Sequence, residues 1–210
     1  KKLADMQTEI ALGLQAALRV GRLLEQLRVT APKLVEEAVP GAVKPGELQK
    51  VLQNLLRERV PIRDLETILE TVSDWSAHTK DASVLTEYVR NALRRTISRQ
   101  HATADEHGAM RIWCVTLDPA TEDLLNGCID RSPGATTVHM PPAMVANFAE
   151  QVSAAAEPLV RAGHRIVLLA SPNVRAQARQ MLEPHVPGIV VLAYNEIDRG
   201  IDVESVGLVH

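Results

Sequence analysis

The feature that most constrains this chain is a change in the rhythm of its apolar residues close to residue 105. Before that point they recur every three or four residues, the period of a helix buried along one face. After it they form short continuous runs, RIWCVTL at 111–117, RIVLL at 165–169 and GIVVLA at 188–193, which have the length and content of strands. The change predicts two domains, an all-helical one over residues 1–99 and a small α/β one over 110–210, and 210 residues suffice for each to bury a core. The polar stretch 100–109, with Gly108 near its end and no apolar period, is read as the linker.

Charge divides the chain at the same place. Residues 1–104 hold sixteen Lys or Arg against thirteen Asp or Glu, a balance of +3, whereas 105–210 hold seven against thirteen, a balance of −6, with no lysine. The overall charge of −3 argues against a dedicated nucleic-acid binder, which carries a basic stripe and a high pI. Aromatic residues make up only 2%, so Leu, Val, Ile and Ala must build both cores.

In the helical half, apolar residues from Leu3 to Arg28 describe one amphipathic helix, and a short helix follows Pro32 and stops before Pro40. Leu48, Val51, Leu52, Leu55 and Leu56 give a core-facing helix over 47–57. Pro61 opens another, with Asp64 and Glu66 in its first turn, where the helix dipole favours carboxylates. Asp81 caps a last helix reaching Ser98, buried through Val84, Leu85, Tyr88, Ala92 and Leu93. In the second half, helices are expected after Asp118-Pro119, from Pro141-Pro142 to about Arg161, and after Ser171-Pro172. Strands alternating with such helices imply βαβ units and a mostly parallel sheet.

A search for chemistry returns little. Neither GxxxxGK(S/T) nor GxGxxG occurs. Ser171-Pro172-Asn173 after a strand is the nearest thing to an anion site, but it reads first as an ordinary helix start, an N-cap followed by Pro at the first helical position. None of the seven histidines sits in an HExxH pair, and Asp198, Asp202 and Glu204 lack the glycine and spacing of a calcium loop. Cys114 and Cys128 make no CxxC and are read as buried thiols. No catalytic, cofactor-binding or metal-binding residue is therefore assigned. No run approaches the ~18 apolar residues of a membrane helix, and the first thirty residues lack a signal-peptide core.

What remains is a charged corner, Arg57-Glu58-Arg59-Val60-Pro61-Ile62-Arg63-Asp64-Leu65-Glu66, with three arginines and three acids around a helix end and a helix start. Arginine suits bidentate carboxylate recognition at an interface. Local caps and surface ion pairs of ~0–1 kcal/mol each account for the corner equally well. Arg90 and Arg94, one turn apart, form a second basic group on the expected solvent face of their helix.

Blocks around this corner, PKLVEEAV (32–39), LQKVLQNLLRERVPIRDLETILE (48–70), TKDASVLTEYVR (79–90) and VVLAYNEIDRGIDVESVGLV (190–209), resemble the flagellar and type III secretion export-gate (FHIPEP) family over residues 24–209. The tail, with Tyr194-Asn195-Glu196-Ile197, resembles the flagellar branch more than the virulence branch. The resemblance implies the end of the cytosolic half of an inner-membrane protein, its third subdomain followed by its fourth. It implies a nonameric ring and docking of export substrates with their chaperones and of the export ATPase stalk protein, without cofactor or nucleic acid. The family's chaperone groove lies largely in a subdomain outside this chain. Arg57, Arg59, Arg63 and Asp64, with Arg90 and Arg94, become the expected protein-interaction residues. The alternatives are a nucleotide- or small-molecule-dependent α/β enzyme and, weakest, a basic helical nucleic-acid adaptor.

Overall fold

A computed structural model describes residues 20–105, 108–132 and 135–210. The chain divides into two compact units at Ala92/Leu93. That division lies ahead of the expected linker, because the last helix of the helical half is two helices and the second belongs with the sheet.

In the first unit α1 covers residues 20–30, and the rest of the helix expected from Leu3 lies outside the described residues. Helix α2 (Pro32–Glu37) starts on a proline and runs into a kink at Val39, just before Pro40. Helix α3 (Pro45–Arg57) starts on Pro45, and the Glu47 carboxylate accepts the Lys44 backbone N–H. It buries Leu48, Val51, Leu52 and Leu55 as its spacing predicts, but Leu56 faces solvent. Pro61 does not open the next helix. Residues 61–64 are non-helical, and α4 (Leu65–Ser76) begins on an Asp64 cap that accepts the Thr67 N–H at 3.2 Å.

Helix α5 (Ala82–Ala92) buries Leu85, Thr86, Val89 and Arg90, a face turned by about one residue from the one expected. Val84 and Tyr88 are only half-buried, and Ala92 is exposed. The cause is two polar residues satisfied across helices. Thr86 Oγ1 accepts from Asn54 Nδ2 of α3 at 3.2 Å, and Arg90 pairs with Glu58.

The second unit begins with α6 (Arg94–His101), which restarts at Leu93. Ile97 and Ser98 are its buried residues. Ser98 is tied within this unit, its hydroxyl meeting the Glu196 carbonyl at 2.6 Å and accepting the Asp198 N–H at 3.0 Å. Residues expected to be linker then form β1 (Thr103–Ala104), and Gly108 at φ 81° precedes β2 (Met110–Leu117).

Helix α7 (Pro119–Gly127) follows β2 on an Asp118 cap, and a hairpin of β3 (Ile129–Ser132) and β4 (Ala135–Val138) comes next. The long helix expected from 142 to 161 is broken at Ala156 into α8 (Pro142–Ala155) and α9 (Glu157–Arg161), because Pro158 has no N–H to continue the ladder. Strand β5 (Val167–Ala170), helix α10 (Arg175–Leu182), strand β6 (Val190–Ala193) and strand β7 (Asp202–Val209) complete the unit.

The sheet is mostly parallel, as predicted. Strand β2 lies between β7 and β5, β6 pairs β5, all these in parallel, and only β1 runs antiparallel. Val115, Leu117, Leu168, Val191 and Val209 pack with Leu125, Phe148, Val152, Leu159 and Leu182 of α7–α10 in one core. Side chains alternate along β2, so Ile112 and Cys114 face the other way and are buried too. At Gly207 an added Cβ would lie 2.7 Å from the Ala155 carbonyl oxygen, so glycine lets β7 close against the end of α8.

Candidate protein-interaction site

The charged corner is built from two helix ends. Helix α3 closes with Glu58 as its C-cap and Arg59 in the left-handed region at φ 59°. The Val60 N–H returns to the Leu55 carbonyl at 2.8 Å and the Arg59 N–H to the Leu56 carbonyl at 2.9 Å, the two bonds of a Schellman closure. Val60 and Leu55 are both buried beneath it. Glycine normally takes this position, and an arginine there carries backbone strain of about 1–2 kcal/mol. After the non-helical residues 61–64, the Asp64 cap starts α4. Arg57, Arg59, Arg63 and Asp64 are all exposed on this frame.

Glu58 points the other way. Its carboxylate lies 3.1 Å from the Arg90 guanidinium, whose side chain is 2% exposed against 17% for Glu58. Arg90 is thus not on a solvent face, a correction to the sequence reading, and it braces the corner from inside the first unit. Arg94, expected one turn along the same helix, is exposed at the start of α6 in the second unit. The structure therefore groups Arg57, Arg59, Arg63 and Asp64 and sets Arg90 beneath them within the first unit, while Arg94 belongs to the second.

Beside the corner runs a feature that the sequence did not disclose. Leu23, Gln26, Leu27 and Thr30 of α1 and the stretch Ile62 to Glu66 line a groove of about 450 Å³. Arg63, Asp64 and Glu66 bring charge to one wall, while Leu23 and Leu27 bring apolar surface to the other. The three-and-four spacing of α1 was the available signal, but it could not say which face would stay open.

The other candidates take simple places. The Ser171 N–H donates to the Glu122 carboxylate at 2.7 Å, so a carboxylate from α7 occupies the one loop that resembled an anion site. Burial and the same Glu122 raise the Tyr194 phenol above its ordinary pKa. Asp202 and Glu204 lie on exposed β7 near Arg111, at 4.0 and 3.4 Å. Cys114 is fully buried and Cys128 half-buried. Among the described residues no three His, Cys, Asp or Glu side chains are placed to hold a metal ion. Among them, too, no helix is long and apolar enough to cross a membrane.

Comparison with known proteins agrees with the resemblance seen in these blocks. The FHIPEP family profile matches residues 2–202. The flagellar biosynthesis protein FlhA of Bacillus subtilis is 35% identical over 188 residues, which are 90% of this chain and 27% of that protein. CdsV in the Chlamydia pneumoniae CdsV–CdsO complex superposes with a TM-score of 0.82 at 28% identity, covering 92% of this chain and 56% of that one. The nonameric EscV cytosolic domain from a type III secretion system superposes with a TM-score of 0.69 at 26% identity, covering 90% and 54%. The chain spans a little over a quarter of the FlhA length. With a profile running through nearly all of it and a relative more than one-third identical across nine-tenths of it, this chain belongs to the FHIPEP family, the export-gate proteins of flagellar and type III secretion systems.

Proposed function

We propose that this chain is the end of the cytosolic part of a flagellar export gate, where it contributes to a ring and docks export substrates, their chaperones and the export ATPase stalk. In this reading it acts by binding polypeptides and makes or breaks no bond. The first unit corresponds to the third cytosolic subdomain of the family and the second to the fourth, at the cytoplasmic face of the inner membrane in which the whole protein is embedded. The flagellar branch is preferred on the tail at 190–209; the export gate of a virulence system is the alternative.

One observation carries the reading: a strained, non-glycine Arg59 held between exposed Arg57 and Arg63. Strain kept where glycine would relieve it points to a side chain needed for contact. The groove against α1 offers adjoining apolar surface, and EscV in its nonameric form supplies the precedent for a ring. The test is Arg63→Glu in the intact protein. Ring assembly, followed by sedimentation, and motility should both fall while the fold by circular dichroism persists. Undiminished assembly and motility refute the assignment of Arg63.

A further inference from the structure

The sheet of the second unit has β1, β6 and β7 at its margins, and they are not equally open. Strand β1 is two residues long, and β6 is four residues long with Val191, Leu192 and Ala193 buried. Strand β7 is eight residues long, pairs β2 along one side, and has no other strand paired to it among the described residues. Asp202, Val203, Glu204 and Ser205 are all exposed, so both faces of the strand are open there as well as its outer edge. The straight edge stops at the bulge that follows: Ser205 pairs Cys114 and Gly207 pairs Val115, which leaves Val206 between them without a counterpart. Backbone groups on such an edge are a template for another strand, and Val203, 41% exposed, suits one.

We propose that Asp202 and Glu204 hold this edge apart from the same edge of a second copy of the chain, so that β7 stays unpaired because of its charge. Two identical edges joined about a two-fold axis run antiparallel. Opposed residues of a continuous sheet share a face, so the axis must pass through a residue. Through Val203, it sets each Asp202 against the Glu204 of the other copy; through Glu204, it sets the two Glu204 side chains against each other. In both registers carboxylates stand opposite at a Cβ spacing of about 5 Å, where like charges destabilise the pairing. Arg111 does not cancel them. Its guanidinium lies 3.4 Å from Glu204 and 4.0 Å from Asp202 but also 3.6 Å from Asp105, so one positive charge is shared among three carboxylates. The Asp202 and Glu204 side chains are 71% and 48% exposed against 28% for Arg111, which leaves the acids the more open to an approaching strand.

The proposal is independent of the ring reading, which concerns residues of the first unit. The test compares three forms of the chain by sedimentation and by amide hydrogen exchange. With Asp202→Thr and Glu204→Thr together, the strand keeps its propensity and loses its charge. That form should self-associate about tenfold more tightly than the unaltered chain, with exchange slowed within residues 202–205. With Asp202→Lys and Glu204→Lys, charge returns with the opposite sign. That form should stay apart by itself and pair one to one with the unaltered chain. Both double changes remove the same two partners of Arg111, so that loss is common to them and only the edge charge differs. A folded threonine form that associates no more tightly than the unaltered chain overturns the proposal. So does a lysine form that self-associates as tightly as the threonine form, slowed exchange that maps outside 202–205, or association that Arg63→Glu abolishes. A one-to-one mixture that does not pair overturns it too, and this arm decides even where the threonine form does not fold.

Discussion

Arg59→Gly and Arg59→Ala both remove the guanidinium together with everything it touches, so the difference between the two variants isolates the backbone. A side chain with a Cβ in the left-handed region costs about 1–2 kcal/mol relative to an unstrained conformation. Glycine escapes that cost but orders a freer unfolded chain, which takes back about 0.5–1 kcal/mol. Since the φ of 59° is locked by two closure bonds and by buried Val60, the strain is not relieved by rotation. Arg59→Gly should therefore be more stable than Arg59→Ala by about 0.5–1 kcal/mol, a difference of about 2–8 °C in melting temperature for a unit of this size. Urea unfolding followed by Trp75 fluorescence in a Trp113→Phe background reads the first unit, where Trp75 stacks on Tyr88 with ring centres 3.7 Å apart. If the glycine variant were no more stable than the alanine variant, the left-handed closure would be wrong. Both variants should lose ring assembly to the same degree, because both lack the side chain; assembly intact in both would remove Arg59 from the interface and leave its strain without a function.

Three further outcomes follow from buried groups. Glu58→Gln removes the carboxylate paired with an Arg90 that is 2% exposed and should cost about 3 kcal/mol in urea unfolding, whereas Arg90→Met leaves a Glu58 that still reaches water and should cost about 1–2 kcal/mol; equal losses would contradict the difference in burial from which the two figures are argued. Gly207→Ala forces a Cβ against the Ala155 carbonyl and should destabilise the second unit by about 1–3 kcal/mol, so a neutral result there contradicts the close approach of β7 and α8. Burial, with the Glu204 carboxylate adding to it, pushes the Cys114 thiol up from 9.0 to about 11. The unfolded thiol ionises first, so stability is intact at neutral pH and falls by up to about 3 kcal/mol as pH rises from about 9 to about 11. Melting temperature against pH should lose that alkaline slope in Cys114→Ala, and an identical slope in both proteins excludes the thiol as its source.

Most helices were legible because their apolar residues face one core at a regular interval. Leu48, Val51, Leu52 and Leu55 are predicted inward and found inward. The fourth parallel strand was not legible, since β7 is exposed along most of its length and Asp202, Val203, Glu204 and Ser205 present no apolar run. Only its backbone pairing to β2 makes it a strand, and pairing leaves no mark on composition. The second unit's early start was hidden for a similar reason. Ser98 is buried, but what holds it is a pair of hydrogen bonds to residues nearly a hundred positions away.

The same physics explains why the corner was visible while its support was not. Arginine is read as surface by default, and that default puts Arg90 with Arg94 on one solvent face. A charged side chain goes inside only when a partner meets it there, and Glu58 is thirty-two positions earlier in the chain. The acid in Arg57-Glu58-Arg59 is thus what separates the two arginines' fates from that of Arg90. By turning inward to meet Arg90, Glu58 occupies the C-cap of α3, and the residue after it must reverse the chain. Arg59 takes that reversal in the left-handed region and is exposed there, as are Arg57 and Arg63 on either side of it in the chain. A buried ion pair of modest net value for stability therefore acts chiefly on geometry: it fixes where the exposed arginines stand, which is the property that an interface requires and that a tally of surface charges does not contain.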